Sequence, residues 1–300
     1  MPVCIAGMHR SGTSLLTRLL QCCGLYLGPD ERFMRGTPDN TEGYWEHKGF
    51  VEINDEILIR LGGSWGHPPL PLLTPDWVVR PELADIRARA EELLLDFAGT
   101  EPWGWKDPRN SLTFPFWKSL HPGLKVVICL RHPSENARSL GRSGSYTDYS
   151  LRMTLWNMYP RLTLPPGSDW LSRPAHPLAL KVAKVVNQTQ LRLSAPHREY
   201  YAYYLQLTLW QLYNEALLSR VERGRRIITH YDAYFRDPRG ELKRVLNFLN
   251  LPAHEEVIDH CCAAISAAQR HYRSVETSGA TLPRPILDLY RLLCEEAEFR

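Results

Sequence analysis

The 300-residue sequence lacks any long apolar run. Nowhere do about 20 apolar residues follow one another, as a membrane-spanning helix requires. The N-terminus, MPVCIAGMHR, lacks a basic stretch followed by a sustained apolar one, so no secretory signal is expected. The first strand is expected to begin at Pro2 or Val3, without room for an anchor, which makes the cytoplasm the expected location. A dominant charge is missing too. Lys and Arg number 36 against 33 Asp and Glu, and a net of +3 argues against nucleic acid as the main partner. The seven cysteines include no C-x-x-C and no zinc-like Cys/His spacing. Two adjacent pairs stand out, Cys22-Cys23 and Cys261-Cys262, and the expectation is of mostly buried thiols in a reducing compartment. Repeats are also lacking, apart from one echo. YSLRMTLWNMY (149–159) matches YYLQLTLWQLY (203–213) at six of eleven positions, Trp156 aligning with Trp210, and one echo is too few for a repeat architecture.

What is present is an alternation of strands and helices. PVCIAG (2–7), PWGWKD (102–107), LKVVICL (124–130) and RRIITHY (225–231) read as buried strands. Helical spacing marks 13–24, 49–62, 81–99, 134–142, 200–224, 238–249, 253–269 and 284–298. This predicts an α/β fold, a P-loop-like, mostly parallel sheet flanked by helices on both faces. Residues 144–199 interrupt the rhythm with six prolines and no strong strand. They are taken as a helical, Pro-rich insertion capping the active site of a single domain spanning 1–300.

The stretch GMHRSGTSLL (7–16) closes the first strand and opens the first helix. A glycine-rich turn there leaves helix amides unpaired and aligned with the dipole, which makes an anion site. Gly7 and Gly12 admit a close backbone approach, and Arg10, Ser11, Thr13 and Ser14 add side-chain donors around His9. Nucleoside-triphosphate enzymes carry G-x-x-x-x-G-K-[ST], whereas Thr13 occupies the lysine position here. No strand end offers a clear metal-binding aspartate either. LKVVICL ends at Arg131, and PWGWKD ends in Lys106-Asp107. A site built from cations suits a nucleotide whose charge the protein itself neutralises.

GMHRSGTSLL resembles the 5′-phosphosulfate loop of the sulfotransferases dependent on PAPS, 3′-phosphoadenosine 5′-phosphosulfate. Cytosolic animal members carry lysine at the position of Arg10, and the arginine form resembles the bacterial-type and carbohydrate-type branch. LRHPSENARS resembles the family's second motif, in which Arg131 and Ser139 would hold the 3′-phosphate. HYDAYFRDPRGELKRVLNFLNLP (230–252) is similar to the segment after the last main strand. There Tyr231 would lie near the adenine, or else simply pack at the strand end. The resemblance covers about 1–143 and 200–252. QRHYRS (269–274) could add cations or be an exposed helix end. The family implies PAPS as sulfonate donor and PAP as product, with no metal required. The expected cofactor-binding set is Gly7, His9, Arg10, Ser11, Gly12, Thr13, Ser14, Arg131, Ser139 and Tyr231, with no metal ligands.

Sulfonate transfer by in-line attack needs cations around the sulfonate and a base for the acceptor. By resemblance the cations are Arg10 and Lys106, with Arg109 orienting the loop or the acceptor. Lys106 could instead be a surface lysine paired with Asp107. The family's cytosolic branch places a histidine where this chain has Pro108. In NTEGYWEH (40–47), similar to a loop of the carbohydrate-type relatives, Glu46 is the expected base and His47 the runner-up. Tyr44 and Trp45 would bury the carboxylate. The acceptor would be a small molecule or glycan offering a hydroxyl or amine, whether a carbohydrate, a glycolipid or a glycosylated metabolite. Trp45, Trp65, Trp103 and Trp105 could form a sugar platform or belong to the core. The alternatives are a magnesium-dependent P-loop kinase or nucleotidase, and a non-catalytic PAP- or PAPS-binding protein.

Overall fold

A computed structural model describes residues 2–34, 44–69, 72, 74–142, 195–265 and 282–299. Four strands form one sheet: β1 (Val3–Ala6), β2 (Gly104–Lys106), β3 (Lys125–Leu130) and β4 (Arg226–His230). Their spatial order is β2-β1-β3-β4 and every pairing is parallel, with Ile5 facing Lys106 on one side and Val127 on the other, and Val127 facing Ile227.

Parallel strands buried on both faces need apolar residues at successive positions, and all of β1 is buried. Alternation sends Cys4, Ala6, Val126, Ile128, Leu130 and Ile228 to one core and Val3, Ile5, Val127 and Cys129 to the other. On the first face lie α2 (Lys48–Arg60), α3 (Ala84–Leu95), α4 (Asn110–Leu120), α5 (Pro133–Arg142), α6 (Ala195–Arg220) and α10 (Arg284–Glu296). On the second lie α1 (Thr13–Cys22), α8 (Pro238–Leu249) and α9 (Glu255–Ala263). The short α7 (Ala233–Arg236) links β4 to α8. The predicted α/β architecture is therefore present, with helices on both faces.

Three features of the fold go beyond the sequence expectations. Residues 110–120 form α4 despite Pro115 inside it. An internal proline costs a helix about 3 kcal/mol, and burial of Leu112, Phe114, Phe116 and Trp117 offsets it. Trp65, Trp103 and Trp105 belong to the first core rather than to a sugar platform. Trp103 stacks on Phe97 at 4.7 Å and Trp105 on Phe50 at 4.5 Å, while Trp45 leans on Phe33 at 6.0 Å. Finally, Cys22 and Cys261 form a disulfide, and the other five cysteines are free thiols. A partner 239 residues away leaves no mark in local spacing. The echo at 149–159, residues 269–274 and the expected insertion from 144 to 194 lie outside the described residues, whereas its last five residues, 195–199, belong to α6. Among the described residues no helix is long and apolar enough to cross a membrane.

The strand order creates the ligand end of the sheet. From β1 the chain crosses to β2 on one side, and from β3 it crosses to β4 on the other. Connections leaving two neighbouring strands in opposite directions open a crevice beyond their C-terminal ends. The loop after β1 and the turn after β3 border that crevice.

Candidate active site

The loop of residues 7–12 is shaped by what lies against it. Gly7 has φ 139°, and a Cβ there would sit 2.5 Å from the Cys129 carbonyl oxygen, so only glycine lets the chain turn across β3. Its amide donates to Ser111 Oγ at 3.2 Å, and Ser11 N donates to Met8 O at 3.1 Å to close the turn. Arg10 adopts a left-handed φ of 68°, which costs a non-glycine residue about 1 kcal/mol or more. Gly12, at φ 97°, is the N-cap of α1, and a Cβ on it would meet the Tyr231 ring at 2.2 Å. Lacking a side chain, it leaves the first amides of α1 without a side-chain cap, and no acid occupies the first turn. The helix therefore presents amides and a positive dipole end to the crevice. Ser11 and Thr13 are buried there, and Ser11 Oγ has no hydrogen-bond partner among the described residues. Ser14 Oγ donates to Tyr44 O at 3.4 Å.

Side chains from the far side of the crevice close on this loop. Arg10 Nε donates to Ser139 Oγ at 3.1 Å, joining residues 129 positions apart. Arg131 donates from one terminal nitrogen to the Arg10 carbonyl at 3.3 Å and from Nε to Glu135 Oε2 at 3.3 Å. Its guanidinium lies over the Tyr231 ring at 4.6 Å. Trp210 Nε1 donates to the Arg131 carbonyl, and Asn136 Nδ2 to the His9 carbonyl. Arg131 and Ser139 are buried, which an arginine accepts only when paired. Arg10, Arg131, Ser139, Gly12 and Tyr231 thus converge. The sequence reading missed Glu135, the acid that balances Arg131, four residues along the chain in the first turn of α5.

A second charged group sits at the end of β2. Lys106 is only 2% exposed. Its ammonium donates to Glu46 Oε1 at 2.5 Å and to the Tyr44 carbonyl. Burial pushes the Glu46 carboxyl above its ordinary range, and the Lys106 charge opposes that shift. Its Oε2 is buried without a partner among the described residues. Lys106 is therefore not a surface lysine paired with Asp107. Asp107 instead accepts from Asn54 Nδ2 at 2.9 Å, from Arg109 N at 2.9 Å and from the Arg109 guanidinium at 3.0 Å. Arg109 Nε also meets Asp55 Oδ1 at 2.5 Å. Asn54 uses both ends of its amide. It donates to Asp107 and Asn110 and accepts from Thr113 Oγ1 and Trp117 Nε1. That network locks α2, which follows Glu46, to the strand carrying Lys106. Asn54, Asp55 and Tyr44's carbonyl had no motif to reveal them.

Two histidines fall elsewhere. The His9 ring packs on Trp65 at 4.4 Å and near Tyr213 at 6.1 Å. Burial first, then Arg109, Lys106 and Arg10, drives its imidazole well below the usual range, so it stays neutral. Its hydrogen bond to the far side of the crevice is made by the backbone. His47 lies between Phe50 and Phe97, each 5.6 Å away, against Gly28. Burial, with Arg32 next, pushes its imidazole down to about 4. Consecutive residues in extended backbone point to opposite sides, so Glu46 turns to Lys106 and His47 turns away. Its described contacts do not reach Lys106, which removes the geometric support for the runner-up base.

Comparison with known proteins adds three findings. The model of a family described as sulfotransferase domain matches residues 115–282, more than half of the chain. That span includes Arg131, Ser139 and Tyr231. Among solved structures, sulfotransferase STF9 from Mycobacterium avium is 13% identical with a TM-score of 0.50, covering 100% of this chain and 77% of that one. The sulfotransferase domain from the curacin biosynthetic pathway is 15% identical, TM-score 0.47, covering 100% and 99%. The sulfotransferase domain of the Synechococcus PCC 7002 olefin synthase is 16% identical, TM-score 0.48, covering 98% and 94%. At 13% identity the likeness to STF9 is one of fold. No curated protein matches the sequence.

Proposed function

The chain belongs to the sulfotransferase domain family, and from that premise we propose that it moves a sulfonate group from PAPS to a hydroxyl or amine, with Glu46 as base. The observation that carries this reading is the joining of the two anion-binding motifs across the crevice, Arg10 Nε to Ser139 Oγ with Arg131 on the Arg10 carbonyl.

The residues suit a donor with a phosphate at each end. The uncapped amides of α1, Arg10 and the unpartnered Ser11 Oγ, with Thr13 and Ser14, would hold the 5′-phosphosulfate. Arg131 and Ser139 would hold the 3′-phosphate, and Tyr231, packed between Gly12 and Arg131, would border the adenine. PAPS supplies an activated sulfonate on a phosphate leaving group. Arg10 and Lys106 stabilise the negative charge that builds there. Glu46 Oε2, the oxygen not engaged by Lys106, takes the acceptor proton. Once protonated, that carboxyl no longer holds the ammonium by charge, and Lys106 is left to the anionic oxygens.

Because three of the four tryptophans lie in the core, the proposed acceptor class rests on the family branch alone. It is a carbohydrate, a glycolipid or a glycosylated small metabolite. The same proposal treats residues 1–300 as one catalytic domain acting in the cytoplasm. The test is an acceptor screen with radiolabelled PAPS, with and without a chelator, on the wild type and Glu46→Gln. Labelled acceptor is expected from the wild type in both conditions. A fall of about 10²–10⁴ is expected for Glu46→Gln. Transfer from ATP that the chelator abolishes would establish a kinase. PAP binding without transfer to any acceptor would establish a non-catalytic binding protein.

A further inference from the structure

The two adjacent cysteine pairs of the sequence meet in the fold. Cys22, at the end of α1, is bonded to Cys261 in α9. Cys23, the C-cap of α1, remains a thiol, and its Sγ lies 3.7 Å from Cys261 Sγ. Cys262, half-buried, is also a free thiol. Their exposures differ sharply. Cys22 faces solvent, whereas Cys23 and Cys261 are buried where α1 packs on α9 in the second core.

A thiol this close to one sulfur of a disulfide is placed for exchange, which proceeds by thiolate attack on that sulfur. The sulfur within reach of Cys23 is that of Cys261, so the leaving sulfur is that of Cys22, the one that water can solvate. We propose that these residues form a thiol–disulfide exchange centre in which Cys23 displaces Cys22 from Cys261, keeping α1 tied to α9 while exposing Cys22 as a modifiable thiol. The step balances without an outside reagent. Cys23 loses its proton and its thiolate attacks Cys261 Sγ. The Cys23–Cys261 bond forms, the Cys22–Cys261 bond breaks, and Cys22 departs as a thiolate that takes up a proton. No electrons are gained or lost overall. Burial pushes the Cys23 thiol up to about 11, with Cys262 adding to the shift, so the exchange is slow at neutral pH. The exposed Cys22 thiol can then form mixed disulfides with small disulfides of the glutathione class.

The test is a thiol count on protein equilibrated in air without added thiol or small disulfide and then denatured, alongside peptide mapping. Wild type has seven cysteines and one disulfide, so five thiols are expected. Cys22→Ser is expected to show four, with Cys23 and Cys261 joined by oxidation. Six thiols in this variant, or a Cys23–Cys262 link, overturns the proposal, as does a wild-type count of seven. A second measurement follows native labelling by iodoacetamide. Cys22 label is expected to accumulate slowly in wild type and not in Cys23→Ser. Equal labelling of Cys22 in both proteins overturns the exchange.

Discussion

Removal of the Glu46 carboxylate is expected to damage folding and chemistry by separable amounts. Lys106 is buried, and its ammonium donates to Glu46 Oε1 and the Tyr44 carbonyl. Glu46→Ala leaves that cation with the carbonyl in place of a counter-charge. Breaking a buried pair from one side costs about 3–5 kcal/mol. A whole domain has only about 5–15 kcal/mol to lose. Glu46→Gln keeps an oxygen for Lys106 to reach, so its loss of stability should stay near 1–2 kcal/mol. Its amide cannot take a proton, so turnover should fall by about 10²–10⁴, as far as in the alanine variant. The double variant Glu46→Ala/Lys106→Met removes both charges. It should be more stable than the sum of the single losses predicts, by roughly 2 kcal/mol. Urea unfolding midpoints read the stability cycle, and initial rates of sulfonate transfer from PAPS read the chemistry. Losses that add to within about 0.5 kcal/mol would refute the coupling. A Glu46→Gln enzyme within about tenfold of wild-type turnover would refute the base.

Gly12→Ala forces a Cβ against the Tyr231 ring and strains a positive φ, so weaker PAP binding in calorimetry is expected. Adding Tyr231→Ala should relieve the clash and recover part of the lost stability, and a further loss would contradict the packing. Arg131→Lys should reduce the preference for adenosine 3′,5′-bisphosphate over adenosine 5′-phosphate by about tenfold or more, since charge-assisted hydrogen bonds contribute about 1.5–3 kcal/mol. Unchanged discrimination would remove Arg131 from the 3′-phosphate site. With the Glu46 carboxyl raised by burial, transfer should rise with pH on an acid limb above the ordinary glutamate range, and that limb should vanish in Glu46→Gln. The His47 shift bears on stability rather than on transfer. Its imidazole is depressed from 6.5 to about 4, so the unfolded chain binds the proton first. Stability should fall as pH drops from 6.5 through about 4, and the fall should be shallower in His47→Gln, as read by thermal melting across that range.

Strands and most helices were legible because burial on a parallel sheet demands near-continuous apolar runs, as in Lys125–Leu130. Helix α4 was not, because Pro115 argues locally against a helix that tertiary burial stabilises. In the site, the glycines and Arg10 could be read from the loop after the first strand, and Arg131 and Ser139 from their resemblance to the family's second motif. Their partners could not. Glu46 meets Lys106 across 60 residues, and Asn54 meets Asp107 across 53. Such pairings depend on which strand neighbours which, information the hydrophobic pattern does not carry. His47 shows the same gap in miniature, since it and Glu46 are adjacent in sequence and face opposite sides.

The crevice between β1 and β3 is assembled from segments that have no reason to meet in an unfolded chain. A ligand gripping both Arg10 and Ser139 would bind the native state and ignore the rest. At a concentration one hundred times its dissociation constant, it would deepen the native well by about 2.7 kcal/mol. The melting temperature measured against increasing PAP therefore becomes a titration of the crevice itself. It requires no acceptor, no turnover and no knowledge of what the sulfonate is destined for.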